Sequence, residues 1–213
     1  MMVAMKIPTK ALEQKLLKSG YDLVVGVDEV GVGCLAGPVV TCAISFPSEF
    51  YKNTPKNFKG LRESKLLSAE QREKFAEDLI GQNYKLGICY PKKIDTINIY
   101  QATRTAMRSA IKNLSLKNFK NSRVIILVDG NKKIEKLEHD QRAIVKGDQK
   151  IFAIACASII AKVYRDRMMK QYAKRFPVYG FEQHKGYSTK VHQKMLSLHG
   201  PTSIHRRSFR LTY

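Results

Sequence analysis

Acids are scarce in this chain. Its 213 residues carry 18 Asp+Glu against 38 Lys+Arg, a formal net charge of +20. Solubility needs far less charge than that. The surplus suits a polyanionic partner, with nucleic acid first and an acidic membrane surface second. Cysteine is sparse too. Cys34, Cys42, Cys89 and Cys156 form no C-x-x-C pair, and each sits among apolar or small residues. That pattern argues against a disulfide framework and a zinc site, and reads as buried, reduced thiols of a cytoplasmic protein. Long apolar runs are missing. The longest, "IFAIACASIIAKV" at 151–163, is too short to span a bilayer and reads as a core helix. The first twenty residues show no signal-peptide pattern. Without a repeat, a low-complexity tract or a linker, residues 1–213 read as one domain with a real core.

What is present has a clear order. Residues 9–19 read as a short helix stopped by Gly20. "DLVVGVDEV" (22–30) and "PVVTCAISF" (38–46) are β-rich runs joined by a Gly-rich turn, which predicts a hairpin. Ser68 and Gln71 form a capping box opening a helix to about Ile80. "YKLGICY" (84–90) reads as a third strand. A helix is expected from Asp95 or Thr96, with Ile97, Ala102, Ala106, Ala110 and Leu114 on its apolar stripe. "RVIILVDG" (123–130) is apolar throughout, as in a strand covered on both faces. "RAIVKGD" (142–148) reads as a fifth strand. A long helix follows to about Lys174, then Gly- and Pro-punctuated loops, a helix near 189–198 and a basic tail. Strands first and then alternating helix and strand predict an α/β domain with a mixed sheet.

Three of the expected strands end in acid: Asp28-Glu29, Asp129 and Asp148. Ligands of open α/β sheets gather beyond the carboxyl ends of strands. A lone Asp there is most often a turn or a cap. Two adjacent acids in an apolar, glycine-rich setting have no capping role, and clustered carboxylates repel one another. Hard divalent cations, Mg²⁺ or Mn²⁺, relieve that repulsion through oxygen ligands. Two such ions about 3.5–4 Å apart support phosphodiester cleavage. The acids therefore read as a negative pit in a positive surface, open to a phosphate.

"GVDEVGVGCLAGPVV" (26–40), "ESKLLS" (63–68), "VDGN" (128–131), "VKGD" (145–148), "ASIIAKVYRD" (157–166), "FPVYGFEQHKGYST" (176–189) and "HGPTSIHRRSF" (199–209) resemble, in order, the motifs of type 2 ribonuclease H, specifically bacterial ribonuclease HII. The match runs from about Val24 to Phe209. The resemblance implies a ribonuclease H-like mixed five-stranded sheet flanked by helices over about 21–175, an N-terminal helix within 1–20, and a helical C-terminal extension over about 176–213. It implies an endoribonuclease that cuts the RNA strand of RNA–DNA hybrids and nicks DNA duplexes 5′ of an embedded ribonucleotide, leaving a 5′-phosphate. Its metal-binding catalytic acids fall on Asp28, Glu29, Asp129 and Asp148, with Mn²⁺ or Mg²⁺ as the cofactor. One ion would lie near Asp28 and Asp129, the other near Asp28, Glu29 and Asp148, the bridging acid being left open. A monomer without membrane attachment is expected.

Substrate contacts implied by the resemblance fall on Gly31, Val32 and Gly33, on Lys65 and Lys185 for phosphates, and on Tyr187, which stacks on the sugar after the ribonucleotide. His184 reads as bonded to its own loop. His205, Arg206 and Arg207 read as backbone-contacting tail residues, and Asp166 as half of a structural ion pair. The chain departs from the family pattern at Val32, where Arg is usual, at Cys34, where Pro is usual, and at Leu66, where Lys is usual. The loss of an arginine at 32 predicts weaker action on a single embedded ribonucleotide than on continuous RNA, unless a nearby lysine supplies the contact. The rivals are a hybrid-binding protein that cleaves poorly and a ribonuclease HIII-like enzyme, against which stand the retained acids and the mere twenty residues before the first strand.

Overall fold

A computed structural model describes residues 7–58, 60–114 and 122–211. The first six residues of the expected N-terminal helical stretch lie outside them. Five strands, β1 (Leu23–Val30), β2 (Val39–Ser45), β3 (Asn83–Cys89), β4 (Val124–Asp129) and β5 (Asp140–Ile144), form one sheet in the order β3-β2-β1-β4-β5. β1 and β2 form the expected antiparallel hairpin, β3 adds antiparallel to β2, and β4 and β5 add parallel on the other side. The described helices are α1 (Ala11–Lys18), α2 (Ser48–Lys52), α3 (Ala69–Asp78), α4 (Pro91–Asn113), α5 (Phe152–Arg175), α6 (Phe181–His184) and α7 (Lys190–His199). The capping box at Ser68 and Gln71 is formed in both directions.

β1 is covered on both faces, and its alternation sorts residues between two layers. Leu23, Val25 and Val27 pack with Met107, Ala110 and Ile111 of α4. Val24 packs on the opposite side with Ile125, Leu127 and Ile154 of α5. Gly26 faces α5 as well, and a Cβ there would overlap the Ala153 carbonyl. Glycine thus lets the first turn of α5 sit directly on the central strand. α1 docks against that turn: Glu13 Oε1 accepts the Ala153 N–H at 3.0 Å. A carboxylate there satisfies one of the free N–H groups at the helix start.

Three expectations are corrected. The helix expected from Asp95 or Thr96 starts at Pro91, whose fixed φ suits a first helical position, and breaks at Asn98 (φ 61°, ψ 165°). Asn98 Oδ1 accepts the Gln101 N–H at 3.0 Å and so caps the second segment. The fifth strand ends at Ile144, four residues before Asp148, which lies in a single 3₁₀ turn (Gly147–Gln149) leading into α5. The chain leaves the sheet early because Lys146 is left-handed (φ 55°) and closes that turn. The tail residues His205 and Arg206 contact backbone, but it is the protein's own. Both are buried, and Arg206 donates to the carbonyls of Gly37 (3.0 Å), Val32 (2.8 Å) and Gly31 (2.6 Å). Arg207 donates only its exposed backbone N–H, to Asp95 Oδ2 at 3.1 Å.

The C-terminal segment packs on the outer part of α5 through Leu35, Met169, Tyr179, Phe181, Leu196 and Ile204. All four cysteines are buried and free. No described helix is long and apolar enough to cross a membrane.

Candidate active site

The four acids arrive at one place by three routes. β1 and β4 run in parallel register to Val27↔Val128. The next residues, Asp28 and Asp129, lie side by side on the α5 face where the β1–β4 pairing ends, Asp28 still paired with Cys42 of β2 and Asp129 with Ile144 of β5. Asp28 is buried. Its Oδ1 accepts the Glu29 N–H at 2.7 Å, and the Ser158 hydroxyl of α5 donates to its carboxylate. Ser158 in turn pairs with Ser64 at 2.9 Å, so a chain of two hydroxyls ties Asp28 to the 3₁₀ turn Ser64–Leu66. Asp129 Oδ1 accepts the Gly147 N–H at 2.6 Å, which joins the end of β4 to the turn that carries Asp148. Glu29 alternates to the α4 side, beside Arg104.

The electrostatics follow from that crowding. Burial, followed by the charges of Glu29 and Asp129, raises the pKa of Asp28 well above the usual carboxylate range. Glu29 is pushed up to about 7, chiefly by burial and then by Asp129, with Arg104 opposing. Asp148 is raised by burial, Asp129 and Glu63, with Lys65 opposing. Among the described residues no three His, Cys, Asp or Glu side chains close into a ready metal cage. The donor set, four carboxylates and neighbouring hydroxyls, is oxygen only and fits a hard divalent cation. Glu63, Ser64, Ser158 and Arg104 were missed as individual residues. The first three lie in "ESKLLS" and "ASIIAKVYRD", so the motif blocks carried a signal for them, whereas nothing marked Arg104.

The loop after β1 is held from behind by two buried arginines. Arg165 of α5 donates to the carbonyls of Pro38 (2.9 Å), Lys185 (2.9 Å) and Ala36 (3.1 Å), while Arg206 holds Gly31, Val32 and Gly37. Gly31 is left-handed (φ 93°), and a Cβ there would collide with the Arg165 side chain. At Gly33 a Cβ would meet nothing within 4 Å. Val32 is 37% exposed and Tyr187 41%. The Tyr187 ring lies 6.0 Å from the Arg165 guanidinium, and burial raises its pKa. Lys185 is left-handed (φ 52°) and its ammonium bonds to the Glu182 carbonyl; burial lowers its pKa. Lys65, with a side chain 79% exposed, lies 3.7 Å from Glu63. His184 bonds within its own loop, to the Tyr179 carbonyl and the Gly186 N–H. Asp166 pairs with Lys162 at 2.8 Å.

A five-stranded mixed sheet with acids in the C-terminal parts of the adjacent strands β1 and β4 and before the long helix defines the ribonuclease H fold class. The fold matches ribonuclease H2 from Pyrococcus horikoshii OT3, with a TM-score of 0.72 and 27% identity over 89% of this chain and 95% of that one. Bst-RNase HIII, solved in complex with Mn²⁺, matches with a TM-score of 0.73 at 16% identity over 95% and 71% of the two chains, a likeness of fold. The family model for ribonuclease HII matches residues 25–212. A curated ribonuclease HII from Caldicellulosiruptor bescii is 45% identical over 200 residues, 93% of this chain and 91% of that protein. The chain belongs to the ribonuclease HII family and is a type 2 endoribonuclease.

Proposed function

We propose that this endoribonuclease cuts the RNA strand of RNA–DNA hybrids and nicks duplex DNA on the 5′ side of embedded ribonucleotides, with Asp28, Glu29, Asp129 and Asp148 as its catalytic acids and as ligands of Mg²⁺ or Mn²⁺. The observation that carries this reading is the convergence of four carboxylates in a chain of charge +20, with Asp28, Glu29 and Asp148 raised by burial and by neighbouring acids. Divalent ions bound there supply Lewis acidity and an acidified water. The protein's own part is positioning. Ser158 and the Glu29 N–H hold Asp28. The Gly147 N–H holds Asp129.

Recognition falls to the loop that Arg165 and Arg206 brace. Open space at Gly33 lets a substrate sugar approach the backbone. The exposed Tyr187 ring, backed by Arg165, is a platform for the next sugar. Lys65 and Lys185 are assigned to phosphates. The free cysteines suit a reducing compartment, which supports the cytoplasm as the site of action.

One assay tests the reading. A duplex with a single ribonucleotide, a continuous RNA–DNA hybrid and plain duplex DNA are each offered with Mg²⁺ and with Mn²⁺. The expected result is cleavage of the first two and none of the third. Cleavage of plain DNA, or full activity with a chelator present, would overturn it.

A further inference from the structure

Beside the acids, a groove of about 320 Å³ runs along the second segment of α4 and is lined by Glu29, Val32, Tyr100, Arg104, Asp129 and Lys132, among others. Arg104 is anomalous. It is 8% exposed, its Nε is buried without a hydrogen-bond partner, and its Nη1 reaches only the weak acceptor Met107 Sδ at 3.4 Å. No carboxylate stands within 4.0 Å of it among the described ion pairs. A buried guanidinium with unfilled donors is costly, and the other two buried arginines show that this chain can fill them with carbonyls.

The exposed Lys132 stands opposite on the β4–β5 connection. Both cations lie 5.2 Å from the centre of the Tyr100 ring. The aromatic ring attracts each of them and so brings both to the groove that it lines, where Val32 offers no donor. An anion in the groove would fill the Arg104 donors and meet the exposed Lys132 ammonium. The groove shares Glu29 and Asp129 with the acid pit, so a nucleic-acid strand lying over the acids continues into it.

We propose that Arg104 and Lys132, gathered by Tyr100, clamp a backbone phosphate of the nucleic-acid strand that crosses the acid pit. The clamp rests on the endoribonuclease reading above and supplies at the groove wall the cationic contact that Val32 lacks.

The test uses the full chain and a fluorescently labelled RNA–DNA hybrid, with binding followed by anisotropy in EDTA over about 50–300 mM salt. Lys132→Ala and Arg104→Met should each weaken binding about tenfold at the low-salt end and flatten the salt slope, and the double variant should flatten it by about one unit in all, because the two cations share a single phosphate. Lys132 is exposed, so its variant decides the matter even if Arg104→Met fails to fold. Tyr100→Leu should produce a smaller loss of the same kind. An unmoved slope in Lys132→Ala, with affinity within twofold of the parent, overturns the clamp while the parent still cuts the hybrid. A parent chain that neither binds nor cuts the hybrid overturns the functional reading itself.

Discussion

The molecule buries charge in two neighbouring regions and treats it in opposite ways. Behind the loop after β1, Arg165 and Arg206 each place three donors on carbonyl oxygens between 2.6 and 3.1 Å. Burial lowers the Arg206 pKa only to about 10, so it keeps its charge at neutral pH. Toward the C-terminal ends of β1 and β4 and in the turn before α5, carboxylates are crowded against one another, and burial and mutual repulsion push the pKa values of Asp28, Glu29 and Asp148 upward. Filled donors hold a shape. Crowded carboxylates at raised pKa mark the place proposed above for a cation. The difference separates a structural charge from a chemical one without reference to sequence position.

The comparison breaks most sharply at the acids. Asp28→Asn or Asp129→Asn should lower hybrid cleavage about 10³-fold or more in single-turnover assays, since under the proposed function each change removes a metal ligand worth several kcal/mol of barrier. The same variants should melt at or above the parent temperature, because a repelling charge has gone. Cleavage within tenfold of the parent would remove them from the chemistry.

Arg206→Met should do the reverse. It removes three charge-assisted hydrogen bonds and strands three carbonyls, at a cost of about 3–5 kcal/mol in urea unfolding. Activity per folded molecule would fall only as the Gly31–Gly33 segment loosens. A loss below about 1 kcal/mol would show that the carbonyls find other donors.

Two glycines sharpen the contrast within one turn. Gly31→Ala meets both a left-handed backbone and the Arg165 side chain and should cost about 2–3 kcal/mol. Gly33→Ala meets no protein atom within 4 Å, so stability should stay within about 0.5 kcal/mol while cleavage drops. Equal stability losses at the two positions would contradict this division.

Glu13 is the intermediate case and carries the smallest effect. One of its oxygens accepts from Ala153, the other is buried without a partner, and burial raises its pKa to about 7 despite Lys10. Between about 4.5 and 7 the folded state therefore holds the proton that the unfolded state has released. The stabilisation is fully present below the unfolded pKa and is lost as pH rises through 7, in all on the order of 1–3 kcal/mol. Urea titrations across that range should show the fall, and Glu13→Gln should flatten it. An identical slope in the variant would assign the pH dependence elsewhere.

Much of this was legible along the chain. The hairpin followed from two β-rich runs around a glycine-rich turn, and the α3 capping box from Ser68 and Gln71 alone, because each depends on residues close in sequence. The acids stood out because carboxylates after apolar strands are rare in so basic a chain. Asp148 was read as a strand end, since nothing local reveals that β5 stops at Ile144 and that a left-handed Lys146 turns the chain. The break at Asn98 was hidden because the apolar spacing of α4 continues through it.

The sequence by itself determined the order of strands and helices, the acids that crowd the candidate site, and a family membership spread over nearly its whole length. Only the tertiary structure decided which charges would be satisfied. Arg104, Arg165 and Arg206 are alike as letters in a chain with 38 basic residues. The last two are structural because carbonyls from the 31–38 loop, well over a hundred residues away, close around them. Arg104 is left open because no such carbonyls reach it. The free energy of a buried charge depends on the groups that meet it in space, and those come from distant parts of the chain.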